Sequence, residues 1–373
     1  MTSIRPRADR TGALERRLTA QQIARHGFQT PAELVAWLGA VQAQDYAASK
    51  WAVGLRLGKA NVADDDIERA LAEGTVLRTH VLRGTWQLVA PADLQWMLAL
   101  VAPQLIARNA RRYREVGLDA ETLRRSNSVL AKALRGGEHR TRAELSAALV
   151  DAKIGTGGQR LAYLLQRAEL EGLLCSGARR GRQSTYALAR RRAPDVRTPP
   201  ERERSLAELA RRYFRSRGPA TVNDFAWWSG LAAAEARAGL ESVRSTLVSD
   251  VVGGKTYWQA SNAPLVVASL TAHLLPPFDE YLIAYRDRSR VIDPKHAKRV
   301  NAGGGMLGPC IVLGGRVIGT WRRVLGRRTV AIELDPFETP TRAESRAMAE
   351  ASHRYGAFLG LETRIATKAR GQR

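Results

Sequence analysis

The sequence predicts a mainly α protein with β (α+β): three tandem winged-helix modules plus a C-terminal antiparallel β-unit or barrel. Three observations carry this prediction. Helical segments with apolar residues on one face are followed, three times, by β-formers broken by a turn. The rounds differ in length, which excludes a solenoid. Beyond about Asn262 the texture changes to short β-runs joined by Gly-Gly turns.

The stretch to about Arg16 is polar and basic and reads as a loose arm. "LTAQQIARHGFQ" reads as a short helix, capped by Thr19 and stopped by Gly27. In "TPAELVAWLGAV", Thr30, Pro31 and Glu33 make a capping box ahead of Leu34, Val35 and Leu38. "ASKWAVGLRL" and "DDDIERALAEG" are two further helices, the second with acids in its first turn and Gly74 at its end. "TVLRTHVLRGTWQLVA" switches to β-formers around Arg83-Gly84 and reads as a hairpin. With the long helical region that follows, these elements make a first module over 17–118. The second module, 119–198, has a capping box at Thr141 and Glu144, a helix in "GGQRLAYLLQRAELEGLLCS", and a wing with a basic tip in "LLCSGARRGRQSTYALARR". A linker, "RRAPDVRTPPERER", leads to the third, 199–262, which closes in a hairpin at Gly253-Gly254. The β-unit spans 263–340 and is clearest where Gly314-Gly315 joins alternating strands. A final helix covers 341–362, and "ATKARGQR" is a basic tail.

Of 373 residues, 59 are Lys or Arg and 36 are Asp or Glu, a net charge of +23. Only eight of those cations are Lys, so a compositional bias accounts for Arg over Lys. It does not account for the shortage of acids, and a polyanion, nucleic acid first, is the implied partner. Cys175 and Cys310 are far apart and imply neither a disulfide framework nor a zinc site. The opening residues lack the apolar core of a signal peptide, and no run has the roughly 20 apolar residues of a membrane span. The expectation is a cytoplasmic, nucleoid-associated monomer that contacts no membrane. No phosphate loop, nucleophile elbow or metal-type cluster is present, so neither a cofactor nor a metal is expected. The scattered histidines, His80 and His273 among them, read as structural.

One short stretch, "AVQAQDYAASKW", places Gln42 and Gln44 around Ala43. In a helix two such residues point about 200° apart. In an extended segment they share a face, and Ala43 turns into the core. Read alone, the pair is either a polar helix end or two amides that hold a water, a phosphate or a base edge.

The Val41–Asp45 stretch, "RTHVLRGTWQLV" (78–89), "LLPPFDEYLIAYRDRS" (274–289) and "GGRVIGTWRR" (314–323) together resemble the AlkZ-like (YcaQ-related) family of bacterial winged-helix DNA glycosylases. The resemblance runs from about Leu18 to Leu361, and Gln42-Ala43-Gln44 matches the family's Gln-apolar-Gln signature. It implies three winged helices around a basic channel. It also implies release of bulky N7-alkylated or crosslinked purines from double-stranded DNA, in repair or in self-resistance to a genotoxic natural product. Gln44 is then assigned to orienting the attacking water. Gln42 is assigned to the same water or to the adjacent backbone. Asp45 lies one position beyond the family's acidic variant and is the weaker general base. Arg78, Arg83, Arg286, Arg288, Arg322 and Arg323, within the matched motifs, are read as phosphate contacts. Arg179, Arg180 and Arg182 are read as a wing tip in a groove. Tyr46, Lys50 and Trp51, beside the glutamines, are read as further DNA contacts. Lys50 is the one lysine near the pair, which argues for a monofunctional enzyme without Schiff-base chemistry. Asp279 or Glu280 is expected to anchor an arginine. The alternative is a non-catalytic winged-helix transcriptional regulator, which predicts a dimer on symmetric half-sites. A genotoxin-sequestering protein would need an apolar pocket, and the sequence marks none.

Overall fold

Helix starts are written plainly in this chain, and the computed structural model places them there. It describes residues 12–193, 200–263, 270–301, 303 and 307–368. Thr30 with Glu33 opens α2, Thr141 with Glu144 opens α7, Thr221 with Asp224 opens α10 and Thr341 with Glu344 opens α14, each as a reciprocal capping box.

The first group contains α1 (Ala13–Ala20), α2 (Pro31–Leu38), β1 (Val41–Gln42), α3 (Tyr46–Gly54) and α4 (Asp64–Glu73). The hairpin β2 (Leu77–His80) and β3 (Trp86–Val89) follows, then the long α5 (Leu94–Glu115). The strands form a sheet of order β1-β3-β2. The second group is α6 (Ala120–Ala133), β4 (Arg140–Thr141), α7 (Arg142–Asp151), α8 (Arg160–Leu170), β5 (Leu174–Ser176) and β6 (Thr185–Leu188), with sheet order β4-β6-β5. The third is α9 (Arg202–Arg217), α10 (Val222–Ser229), α11 (Ala233–Val243) and the hairpin β7 (Leu247–Val252) and β8 (Lys255–Ala260). Gly253 and Gly254, at φ 58° and 72°, make its turn, which suits the twist of paired strands. The C-terminal region holds β9 (Ala272–Leu275), α12 (Glu280–Ile283), α13 (Ala297–Val300), β10 (Cys310–Leu313), β11 (Arg316–Leu325), β12 (Thr329–Pro336), α14 (Arg342–Leu359) and β13 (Glu362–Thr367).

Four expectations change. The C-terminal sheet is open, of order β13-β12-β11-β10-β9, so no barrel closes. It is also mixed, because α14 returns the chain and β13 adds parallel to β12. The start of "ATKARGQR" is therefore strand; its last five residues lie outside the described ones. The first helix is Ala13–Ala20, not Thr19 onward. Leu14 and Leu18 bury against β9, β10 and Tyr281, and Arg17 is buried with its guanidinium 3.8 Å from the centre of the Tyr285 ring. A basic "ERR" run reads as a solvated arm unless the partner ring is known. Residues 1–11, the linker's 194–199, 264–269 and Gly304-Gly305 lie outside the described residues. Finally, α6, α12, α13, β4 and β13 went unread, the two strands being pieces of two and six residues that only their partners define.

Four cores hold the groups. One joins α5, α9, α10 and α11 with the first hairpin. A second packs α2, α3 and α4 on the C-terminal sheet and α14. A third belongs to α6, α7 and α8, and a fourth to α1 with β9, β10 and α12. Between them run two buried ion pairs. Arg56 grips Asp279 through two bonds of 2.9 and 2.7 Å. Arg217 donates to Glu280 at 3.0 and 2.6 Å, and both side chains are about 1% exposed or less. Asp279 and Glu280 thus each anchor an arginine, as the sequence leads one to expect.

Removing one partner strands a buried charge. Glu280→Gln is expected to lower the unfolding free energy by about 3–5 kcal/mol in urea titrations. A second expectation concerns His273 on β9. Burial, then Arg354, holds its imidazole down to about 3. The unfolded chain takes up that proton near pH 6.5 and the folded one does not. Stability is therefore full above about pH 6.5 and is lost as pH falls toward 3, at up to about 1.4 kcal/mol per pH unit. His273→Gln should flatten that acid limb in melts taken across the range.

Candidate active site and nucleic-acid interface

Gly39 ends α2 at φ 75°, and the chain straightens into β1. Val41 pairs with Leu88 and Gln42 with Gln87, and the Ala43 amide donates to the Trp86 carbonyl at 2.8 Å. Ala43 is fully buried. The chain then turns at Asp45, whose carboxylate accepts from the Ala48 amide at 3.0 Å and caps α3. The extended path expected for the glutamine pair is therefore present, but only as far as Ala43.

The two amides differ accordingly. Gln44 is exposed, and its side chain has no hydrogen-bond partner among the described residues. Gln42 is 9% exposed and folds back on its own backbone. Its Oε1 accepts from the Ala43 and Gln44 amides at 3.0 and 3.2 Å, and its Nε2 donates to Thr85 Oγ1 at 3.3 Å. Backbone N–H groups only donate, so the atom facing them is the oxygen and the amide's orientation is settled. The pair does not converge on one point, because the ladder that would align both side chains stops before Gln44.

Below this segment lies the Arg217–Glu280 pair. Glu280 accepts from the Gln42 amide at 2.9 Å and from the Trp228 indole at 3.0 Å. Arg217 donates to the carbonyls of Leu38 and Ala40 at 2.6 and 2.8 Å. On the other side, Arg78 donates to the Ala43 carbonyl at 3.0 Å and lies 3.9 Å over the Trp86 ring. Burial pulls the Arg78 guanidinium below its ordinary range. His80 packs on the same indole, with ring centres 4.3 Å apart, and its Nδ1 meets the fully buried Glu169 of α8. Burial pushes the Glu169 carboxyl up, and His80 and Arg78 oppose that.

The other residues read as DNA contacts divide into three sets. Tyr46, Arg179 and Arg323 gather beside the glutamines. The Tyr46 hydroxyl donates to Glu68 at 2.8 Å, and burial with Glu68 holds its phenol well above the ordinary value. Arg179 reaches across from the second group to 4.8 Å over the Tyr46 ring and 3.8 Å from Glu68. Arg323 comes from β11; burial lowers its pKa, and Asp45 and Asp64 counter this. A second set is exposed. Arg182 has no side-chain partner among the described residues, Arg180 pairs with Glu144, and Arg322 pairs with Glu333. Arg286, also exposed, lines a separate cleft with Arg17, Arg237 and Lys255.

The third set is structural. Trp51 is 6% exposed, donates to the Leu274 carbonyl at 2.7 Å, and packs 5.0 Å from both Tyr355 and Phe358. It is not a surface for bases. Lys50 is buried between Asp64 and Glu68. Arg83, at φ 58°, lies mostly buried against Gly230, and burial lowers its pKa. Arg288 donates to the Leu282 carbonyl at 2.8 Å, with Trp227 near. Lys50 and Arg288 are drawn inward because a long stem with a satisfied head covers apolar surface well, whereas the buried Arg83 Nε has no hydrogen-bond partner among the described residues. A pocket the sequence does not mark, lined by Trp51, Leu57, His273 and Phe358, lies at the far end of α3. Among the described residues no helix is long and apolar enough to cross a membrane, and no group of three or more His, Cys, Asp or Glu could hold a metal.

The family model for DNA glycosylase AlkZ-like matches residues 35–358. The chain belongs to the AlkZ-like family. An interstrand DNA cross-link repair glycosylase of Streptomyces sahachiroi is 27% identical over 335 residues, covering 86% of this chain and 89% of that protein. The solved structure of Streptomyces sahachiroi DNA glycosylase AlkZ superposes with a TM-score of 0.79 at 22% identity, over 96% of this chain and all of that one. The AlkZ-like fold therefore holds here across both groups that flank the glutamines. Sequence reasoning missed Thr85, Gln87, Glu169 and Arg217 at this AlkZ-like site. Strand alternation does put Thr85 and Gln87 on one face, but nothing in the chain shows that Gln42 lies opposite.

Proposed function

We propose that this protein is a monofunctional DNA glycosylase that hydrolyses the N-glycosidic bond of bulky N7-alkylated purines in duplex DNA. One observation carries the reading: Gln44 offers an unengaged amide at the surface, on a segment clamped from three directions, with Arg179 and Arg323 beside it. An N7-alkylated guanine is already cationic and leaves without a strong acid. What the protein must supply is an oriented water and a rigid frame for an oxocarbenium-like transition state. Gln44 orients the water. Gln42 acts through the adjacent backbone, since its oxygen accepts the Gln44 amide proton. Asp45 is engaged in capping α3, and Gln44 remains the preferred acceptor.

The three helix groups, each carrying a hairpin, are winged-helix modules over 17–118, 119–198 and 199–262, set along a monomer on duplex. A site open to solvent suits a bulky adduct better than a tight base-flipping pocket. Crosslinked purines extend the reading from the cross-link repair relative, and a self-resistance role at the nucleoid is part of the same proposal.

Duplexes carrying N7-alkylguanines, from methyl to bulky adducts, should yield abasic sites with wild-type protein, scored by alkaline cleavage. Gln44→Ala and Gln42→Ala should each lower the rate by about a hundredfold or more. Binding without release across the lesion series would overturn the catalytic reading and favour a regulator. Affinity for undamaged duplex should fall steeply with salt, and Arg182→Ala should reduce the log–log slope by about 0.9 in fluorescence anisotropy.

A further inference from the structure

We infer that Thr85, on the turn into β3, is a positioning residue for the reaction and acts through Gln42. The inference rests on the glycosylase reading. Thr85 Oγ1 accepts from Gln42 Nε2 at 3.3 Å and from Gln87 Nε2 at 2.9 Å, and donates its proton to the Leu82 carbonyl at 3.2 Å. A hydroxyl has two acceptor positions and one donor, so this one is saturated. Its proton points away from Gln42, and only a donor from Gln42 fits the remaining geometry. The Gln42 oxygen is saturated too, by the Ala43 and Gln44 amides. Thr85 therefore locks the amide in the one orientation that turns its oxygen toward the Gln44 backbone. Gln42 is left with a single free N–H.

The lock reaches further than the pair. Gln87, the register partner of Gln42, is 1% exposed and shares the same hydroxyl. Two amides on neighbouring strands are thus tied to one oxygen, which resists sliding of β1 against β3. A small shift of Gln42 would pass directly to Gln44 through their shared hydrogen bond. Misplacement of a water-orienting group by about 1 Å costs about a hundredfold in rate.

The experiment measures single-turnover release of N7-alkylguanine by wild type, Thr85→Val, Thr85→Ser, Gln42→Ala and the Thr85→Val/Gln42→Ala double variant. Duplex affinity is measured in parallel. Thr85→Val keeps the shape and removes the hydroxyl. Its rate should fall by about a hundredfold with affinity unchanged, Thr85→Ser should restore most of it, and the double variant should be no slower than Gln42→Ala. Rescue by serine shows that the hydroxyl is what matters, and a merely structural role would not vanish without Gln42. A wild-type rate in Thr85→Val, or equal losses with and without Gln42, overturns the inference. If Thr85→Val does not fold, Thr85→Ala makes the same comparison. Absence of release by wild type sinks the glycosylase reading itself, and this inference with it, and so is told apart from failure of the inference alone.

Discussion

The Arg217–Glu280 pair is the contact on which the arrangement of the rest depends. It sits where four parts of the chain meet: the end of α2, the start of β1, the C-terminus of α9 and the short α12. The donors of Arg217 and the oxygens of Glu280 are answered by each other, by backbone groups, by the Ser216 hydroxyl and by Trp228, which is what makes so buried a pair tolerable. A hydrophobic pair of similar volume could fill the space. It could not fix Leu38, Ala40 and Gln42 at once, and register of the two-residue β1 needs that fixation because the strand is too short to hold itself.

The asymmetry of the two glutamines follows from this frame. Strand geometry governs the chain only to Ala43, where the β3 carbonyl of Trp86 takes the last ladder bond. Beyond it, capping of α3 by Asp45 takes over. Gln42 belongs to the first regime and is absorbed into the interior. Gln44 falls between the two and stays free. One buried amide that orders the backbone and one exposed amide that meets solvent make a division of labour, reached by turning the chain just after a two-residue strand ends.

The large positive charge also divides by burial. Arg17, Arg56 and Arg217 are among the most buried side chains of the molecule, with backbone carbonyls and carboxylates as partners. They cannot meet phosphates. Of the arginines read as DNA contacts, Arg180, Arg182, Arg286 and Arg322 face solvent and Arg179 and Arg323 are half-buried, while others such as Arg25, Arg108, Arg111 and Arg124 are exposed outside the matched motifs. Net charge still raises the general attraction for DNA. Which arginines touch it is a matter of exposure, not of motif membership.

Capping boxes at Thr30 and Thr141, the Gly253-Gly254 and Gly314-Gly315 turns, the three hairpins, the basic balance and the Gln-apolar-Gln segment were all determined by the sequence alone, because each depends on residues within a few positions of one another. The open, mixed C-terminal sheet was decided by tertiary structure, since β13 meets β12 only across the whole of the intervening α14. So was the inward fate of Trp51, Lys50 and Arg83, whose partners at Leu274, Glu68 and Gly230 lie from 18 to 223 positions away. Local propensity is a property of neighbours in the chain, while burial and hydrogen-bond satisfaction are properties of neighbours in space.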